Sequence, residues 1–412
     1  MEVSVIGAGA AGLIAAYAAA RNNNSVTIYE RNEKSGKKIY ITGKGRCNVT
    51  NCVPPYEFLK NVVNNSKFLT GAINNFSPED LMALLEEGGL KHKIERGNRV
   101  FPISDKASDV TKCLEKLCIK AGVKFIFNAK VSKITVLDST VSDIIVEIDG
   151  KTKTIKTDKV IVCTGGISYP STGSTGDGYN FARATGHNVI EPKPALCGIN
   201  LKGNFFSSLQ GLSLKNVNLN TFYNGKKINS EFGEFMFTHF GISGPVVLTV
   251  SSLINRFDLN CVIFSLDLKP ALTVEQLNER LLREFSSSPN KSIKAVMKLL
   301  LPIALIDEVL KRAAIEGDKK VNSVSRVERN ALINVLKNFE MQPLSLRSFN
   351  EAIVTSGGVD VKQISPKTME SKKVKGLYFC GEVLDVDAFT GGFNLQIAFS
   401  TGFAAGSSIF DV

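Results

Sequence analysis

Gly7-x-Gly9-x-x-Gly12 stands between a short β-branched run, Val3 to Ile6, and a small-residue segment, Leu13 to Ala20. A second apolar run, Val26 to Tyr29, ends at Glu30, eighteen residues after Gly12. Strand, glycine turn, helix, strand and acid in that order are the setting that gives this spacing its meaning. Gly7 allows the tight turn, Gly9 lets a pyrophosphate approach the backbone, and Gly12 lets the helix approach the strand. The first N–H groups of the helix stay free for the anion. Glu30 can accept hydrogen bonds from an unphosphorylated ribose. The chain must therefore begin as a Rossmann-type α/β unit that grips an adenine dinucleotide. NAD and FAD share the part these residues touch.

The uncharged stretch 3–20 does not read as a signal anchor. It is mostly Ala and Gly, no basic segment precedes it, and Arg21-Asn-Asn-Asn24 closes it. No later segment has the unbroken apolar length of a membrane span. With 412 residues, 43% hydrophobic and 22% charged, the chain suits two or three soluble domains. Eight cysteines include no C-x-x-C, and three histidines leave no expected metal site. A reducing cytoplasm is the expected compartment. The net charge of +11 comes from lysines spread along the chain without an arginine-rich block, so a solvated surface is favoured over a nucleic-acid face.

After Glu30 a glycine- and lysine-rich loop is expected over Ser35 to Asn51, and loops of that length in an α/β domain are usually functional. Helical patterns follow at Pro78 to Glu87 and Ser108 to Ala121. A meander comes next, with Asp149-Gly150 as a hairpin turn. Lys159 to Gly166 reads as a buried parallel strand ending in two glycines. After Pro192-Lys-Pro194 the pattern turns β-rich. From Pro270 it turns helical, with Thr273 and Gln276 as a capping box. Dinucleotide-type signals resume at Gly376 to Glu382, and Thr390-Gly-Gly-Phe-Asn394 opens a helix to Gly406. The positive end of such a helix suits the N1/O2 edge of a flavin, which shifts the balance from NAD to FAD.

Taken in order, Gly7 to Gly12, Gly36-Lys-Lys38, Thr42-Gly-Lys-Gly-Arg-Cys-Asn48 with Asn51, Cys163 to Gly166, Gly173 to Gly178, Phe237 to Pro245, Thr368 to Lys372, Gly381 to Asp387 and Thr390 to Gln396 resemble the BaiN-like family of bacterial FAD-dependent oxidoreductases, which includes aminoacetone oxidase-like proteins. The resemblance implies an α/β fold. In it, a Rossmann-type FAD-binding domain (1–192 and 346–412) carries an inserted β-barrel-like domain (193–345), itself interrupted by a helical subdomain at about 270–338. It implies non-covalent FAD. The pyrophosphate would lie on Gly7, Gly9, Ala10, Ala11 and Gly12 and the ribose on Glu30, with Arg31 also on the cofactor and Lys38 near the phosphates or ribose. Lys130 and Val131 would flank the adenine. Gly43, Gly45, Arg46, Cys47, Asn48 and Asn51 would line the ribityl and flavin side, with Thr164, Gly165 and Gly166 close by. Asp177 sits in a Thr-Gly-Asp-Gly turn that also resembles fumarate-reductase-like flavoproteins. Gly381 and Glu382 would contact the ribityl or phosphate region, and Gly392, Phe393, Asn394 and Leu395 the ring.

A flavin supplies the redox chemistry, so an acid/base side chain is optional. His239, in a glycine-rich turn, is the candidate proton shuttle, weighed against a merely backbone-bonding role. A redox pair of Cys47 with Cys52 is disfavoured, and Arg46 suits either a substrate carboxylate or the loop itself. A second nucleotide-binding motif is missing, so NAD(P)H would act as a transient reductant. Three functions stand: hydride transfer between a small organic substrate and flavin N5, an oxygen-using amine or aminoketone oxidase releasing hydrogen peroxide, and a basic nucleic-acid-associated flavoprotein.

Overall fold

The structure is a computed structural model and describes residues 1–410. It divides into two compact units, residues 1–195 with those from 349 on, and Leu196–Ser348. The divisions fall a few residues beyond 192/193 and 345/346. The reason is that Val189–Ala195 pairs antiparallel with Val354–Val359 and stays with the first unit.

The first unit is built on a parallel sheet in the order Leu377–Phe379, Lys159–Val162, Glu2–Ile6 (β1), Ser25–Tyr29 (β2) and Lys124–Ile126. The buried residues of its central strands are mostly β-branched, Val3, Val5, Val26, Ile28, Val160, Ile161 and Val162, and the helix α1, Ala10–Ala20, packs against these strands. This helix is buried at all eleven positions. A Cβ on Gly12 would lie 1.9 Å from the Gly7 carbonyl oxygen, so only glycine lets α1 leave β1 at this angle. The C-terminal helix, Phe393–Ser407, lies against α1 as closely. Added Cβ atoms on Gly402 and Gly406 would sit 2.4 and 2.2 Å from the carbonyl oxygens of Ala11 and Ala15.

The meander is an antiparallel sheet of Ala129–Leu137, Thr140–Ile148 and Lys151–Lys156, turning at Asp149 and Gly150, both with positive φ as a primed hairpin turn requires. The segment expected as a loop from Ser35 to Asn51 instead opens with a helix, Lys37–Ile41. Left-handed residues at Gly43, Lys44, Gly45 and Cys47 then fold it tightly.

The second unit has its own core. Its antiparallel sheet runs Phe339–Met341, Val262–Asp267, Ser213–Tyr223, Lys226–Thr238, Gly241–Ser243, Ile199–Leu201, Pro343–Leu346. The two edge strands are consecutive in the chain, separated only by Gln342, so the sheet curls round on itself in a barrel-like way. Phe235, Phe237, Phe264 and Phe339 fill it. The helices Val274–Ser287, Ile293–Met297, Ile303–Arg312 and Arg326–Lys337 pack on the same core. Capping boxes start the first and last of them, at Thr273 with Gln276 and at Ser325 with Glu328.

Two stability tests follow from the first unit. Gly402→Ala should raise helix propensity by roughly 1 kcal/mol. The clash with Ala11 costs about 1–3 kcal/mol, so the apparent Tm should fall. A Tm that rises instead would contradict the close packing of the two helices. His187 is buried between the Thr185 hydroxyl (3.0 Å) and the Ser371 hydroxyl (2.7 Å). Ser371 Oγ already accepts from the amides of Lys373 and Val374, so its proton goes to His187 Nε2 and the neutral ring carries its own on Nδ1. Burial, with Lys373 nearby, holds the imidazole below its usual pKa. The unfolded chain then binds the extra proton first, so stability should be fully present above about pH 6.5 and decline below it. A melt of His187→Gln should show a flatter decline over that window than the parent.

Candidate cofactor site

Glycine turns follow three neighbouring parallel strands of the first unit, at Gly7, at Gly165 and at Gly381, all at the carboxyl edge of the sheet. This edge is where open α/β sheets bind ligands. A cleft opens there, lined by all three turns and by the first residues of two helices.

Two helix N-termini face this cleft through Gly9, Ala10 and Ala11 on one side and Asn394 and Leu395 on the other. The first intrahelical bond of α1 is Leu13 N–H to the Gly9 oxygen, so the amides of Ala10, Ala11 and Gly12 have no helix partner. Neither helix has a side-chain cap or an acid in its first turn. Gly7 has φ +101°, and nothing lies within 4 Å of a Cβ built on Gly9. Thr164, on the same cleft, keeps a buried hydroxyl without a partner. Uncapped amides, open space over Gly9 and an orphan hydroxyl fit an anionic, hydrogen-bonding dinucleotide.

Charged side chains around the cleft hold one another. Glu30 is 7% exposed and accepts from the amide of Ala8 (2.7 Å), the amide of Asn32 (2.8 Å) and the Asn32 side chain (2.7 Å). Arg31 pairs with Asp177 at 3.0 Å and also donates to Thr175. Lys38 Nζ donates to Glu382 and to Ser168, each at 2.6 Å. Glu382 in turn accepts from Ser168 Oγ (2.8 Å) and the Thr355 amide (2.7 Å). One carboxylate thus ties together the helix after β2, the loop after Gly166, and the chain that returns from the second unit.

Among residues singled out in the sequence, Gly7, Gly9, Ala10, Ala11, Glu30, Arg31, Lys38, Lys130, Val131, Thr164, Gly165, Asp177, Gly381, Glu382, Asn394 and Leu395 line the cleft. Gly12, Gly166 and Gly392 pack behind its wall, a Cβ on the last falling 2.4 Å from the Thr50 carbonyl. Phe393 turns inward, edge-on to Phe58 at 5.1 Å. The segment Gly43, Gly45, Arg46, Cys47, Asn48 and Asn51 lies outside the lining.

Arg46 is engaged by Asp105 (2.7 Å) and Glu95 (2.5 Å) and lies over the Phe101 ring at 4.3 Å. These partners leave its guanidinium committed to the loop, the second of the two roles considered for it. Cys47 is fully buried, and burial alone pushes its thiol up to about 12, which opposes thiolate chemistry. It and Cys52 are both free thiols. Asn51 donates to the carbonyls of Gly97 (3.0 Å) and Gly391 (3.1 Å), pinning the turn before the C-terminal helix. His239 belongs to the second unit, exposed on the turn between Lys226–Thr238 and Gly241–Ser243, edge-on to Phe240 at 5.1 Å.

Gly36, Ser174, Cys163 and Cys380 stand in the sequence motifs with no contact assigned to them, and Asn32 and the pair Ile353–Val354 in none, yet all of them line the cleft. The cysteines were legible, since each follows directly on a strand that pairs with its neighbour. Burial and contact with Cys163 hold the Cys380 thiol well above its usual range. Ile353 and Val354 carried no motif.

Fold and cleft together define an FAD-dependent oxidoreductase of the Rossmann type. Residues 1–408 match the HI0933-like protein Rossmann domain, and the chain belongs to that family. It is 33% identical to ribosomal RNA dihydrouridine synthase of Haemophilus influenzae, over 99% of this chain and 98% of that protein. It is 28% identical to 3-dehydro-bile acid Δ(4,6)-reductase of Clostridium scindens, over 98% of each. Among solved structures it resembles 3-ketosteroid-Δ4-(5α)-dehydrogenase from Rhodococcus jostii RHA1, with TM-score 0.55 and 16% identity, over 99% of this chain and 96% of that one. No helix among the described residues is long and apolar enough to cross a membrane.

The uncapped end of α1 gives a test with opposite signs. An acid at the N-cap or in the first turn of a helix stabilises it by about 0.3–1 kcal/mol, and the space over the N-cap Gly9 is open, so Gly9→Asp should leave the apoprotein as stable as the parent. The same charge opposes a pyrophosphate, and FAD affinity should fall at least tenfold. Fluorescence titration of apoprotein with FAD checks this, and an unchanged Kd would place the cofactor elsewhere.

Proposed function

We propose that the chain reduces a carbon–carbon double bond conjugated to a carbonyl, using FAD held without a covalent link in this cleft and NADH or NADPH as a transient reductant. One observation carries this. Two full-length relatives are named for unlike substrates, yet both names describe saturation of a carbonyl-conjugated double bond: uridine to dihydrouridine, and a Δ(4,6) dienone to its reduced form. When bound, FAD supplies two-electron hydride transfer between nicotinamide and substrate. NAD(P)H and one proton are consumed for each double bond saturated.

The chain's own residues have separable tasks. The amides at the start of α1 and Glu30 hold the two ends of the ADP moiety, and the Lys38–Glu382 pair orders the wall between them. A proton must accompany the hydride, and we assign its delivery to His239. His187 is buried in a hydrogen-bond network and His92 lies 3.4 Å from Glu86, whereas the His239 side chain is exposed and has no hydrogen bond among the described residues. The free cysteines suit work in a reducing cytoplasm.

For the substrate, a small enone is our first reading. Uridine within ribosomal RNA is a second, favoured by 33% identity to the Haemophilus influenzae enzyme along nearly the whole of both chains and by the net charge of +11. The test is anaerobic. Purified holoprotein should show a flavin spectrum, bleach with NADH or NADPH, and recover its colour on adding 2-cyclohexenone or a ribosomal RNA transcript, with saturated product formed. His239→Gln should slow the recovery. Recovery only with oxygen, with stoichiometric peroxide, would replace this reading by an oxidase. A preparation unable to take up FAD would sink it altogether.

A further inference from the structure

In the second unit the helices Val274–Ser287 and Arg326–Lys337 run antiparallel, joined by Arg329 Nε donating to Asn278 Oδ1 at 2.9 Å. A groove runs along their junction. One wall is a stripe at fourfold spacing, Arg326, Asn330, Asn334 and Asn338, all four exposed and together about 18 Å long at 1.5 Å per residue. Asparagine is a poor helix former because its side chain competes for backbone hydrogen bonds. An exposed helix face ordinarily carries Glu, Lys, Gln or Arg instead. The side chains of Arg326 and Asn330 have no hydrogen-bond or ion-pair partner among the described residues, and Asn334 has only its contact with Asn338 at 3.0 Å. Lys337 is spent on Asp267 at 2.6 Å, which leaves Arg326 as the free cation of the stripe.

Resting on the RNA reading above, we propose that this groove is the surface on which a structured RNA docks. The stripe's chemistry matches what an A-form helix displays in its shallow minor groove. Each amide offers a donor and an acceptor, as 2′-hydroxyls and base edges demand, while Arg326 and Arg329 suit phosphates. The surrounding residues 270–338 carry twelve basic against eight acidic side chains, so the field favours an anion. A DNA duplex lacks the 2′-hydroxyl and should bind less well.

The experiment uses FAD-loaded protein and a fluorescein-labelled RNA stem-loop, read by anisotropy across a salt series, with a DNA stem-loop of the same sequence beside it. The parent should prefer RNA. The triple variant Arg326→Glu, Asn330→Asp, Asn334→Asp should lose tenfold or more in RNA affinity, with a shallower salt slope, while its flavin spectrum and reduction of 2-cyclohexenone persist. Asn330→Lys should bind several-fold tighter, a gain that misfolding cannot imitate. Equal RNA affinity in parent and triple variant, or DNA bound as tightly as RNA, would overturn the proposal. Dihydrouridine formed by a triple variant of unchanged RNA affinity removes the groove and keeps the uridine reading. Groove-dependent RNA binding without dihydrouridine keeps the groove and removes that reading.

Discussion

Everything at the cofactor cleft depends on how closely α1 can lie against its neighbours. Gly12 brings it onto the turn after β1, and Gly402 and Gly406 bring the C-terminal helix onto Ala11 and Ala15. Were ordinary side chains present at these glycines, each helix would stand off by the width of a methyl group or more, and the two N-termini would diverge. Held close, both present unpaired amides to one space. Two positive helix ends would then act together on the two regions of a bound FAD that carry negative charge, the pyrophosphate and the reduced ring. The absence of charge from α1, and of side chains at the glycines where its neighbours approach, is thus an electrostatic device built from packing.

That device needs a wall of fixed shape, and Glu382 provides it. A carboxylate 16% exposed accepts from Lys38, Ser168 and the Thr355 amide, three segments far apart in sequence. Burying it is tolerable only because its acceptor sites are so fully used. The chain leaves the first unit after Ala195 and re-enters at Phe349. Two ties hold the returning segment: the strand pair Val189–Ala195 with Val354–Val359, and this carboxylate on Thr355. An insertion of this size is accommodated because exit and return meet in one two-stranded ladder.

What was legible in the sequence was local. Gly7 to Gly12 with Glu30, the Asp149-Gly150 turn and the Thr273 capping box are set by rules that act within a few residues, and the structure forms each of them. What was not legible depends on partners far away. Arg46 has Glu95 and Asp105 as partners across some fifty and sixty positions, and nothing near it in sequence announces that choice. Phe393 turns to Phe58 because the αL residue Gly392 swings it inward. In the strand Lys226–Thr238, Lys, Asn and Glu over much of the length obscure the alternation. Ile353 and Val354 enter the cleft by virtue of strand register, a property no motif records.

The cleft's walls also bear on what such a protein can discriminate. Glycine, alanine and backbone amides make up much of the surface presented to the cofactor, and such groups recognise a dinucleotide without specifying what it reduces. Cys163 and Cys380 add only buried thiols, the second held well above its usual range. Selection among acceptors must then come from side chains beyond this lining. A fold can therefore keep its cofactor geometry through glycine packing while its relatives diverge toward a steroid-like dienone or a base in RNA.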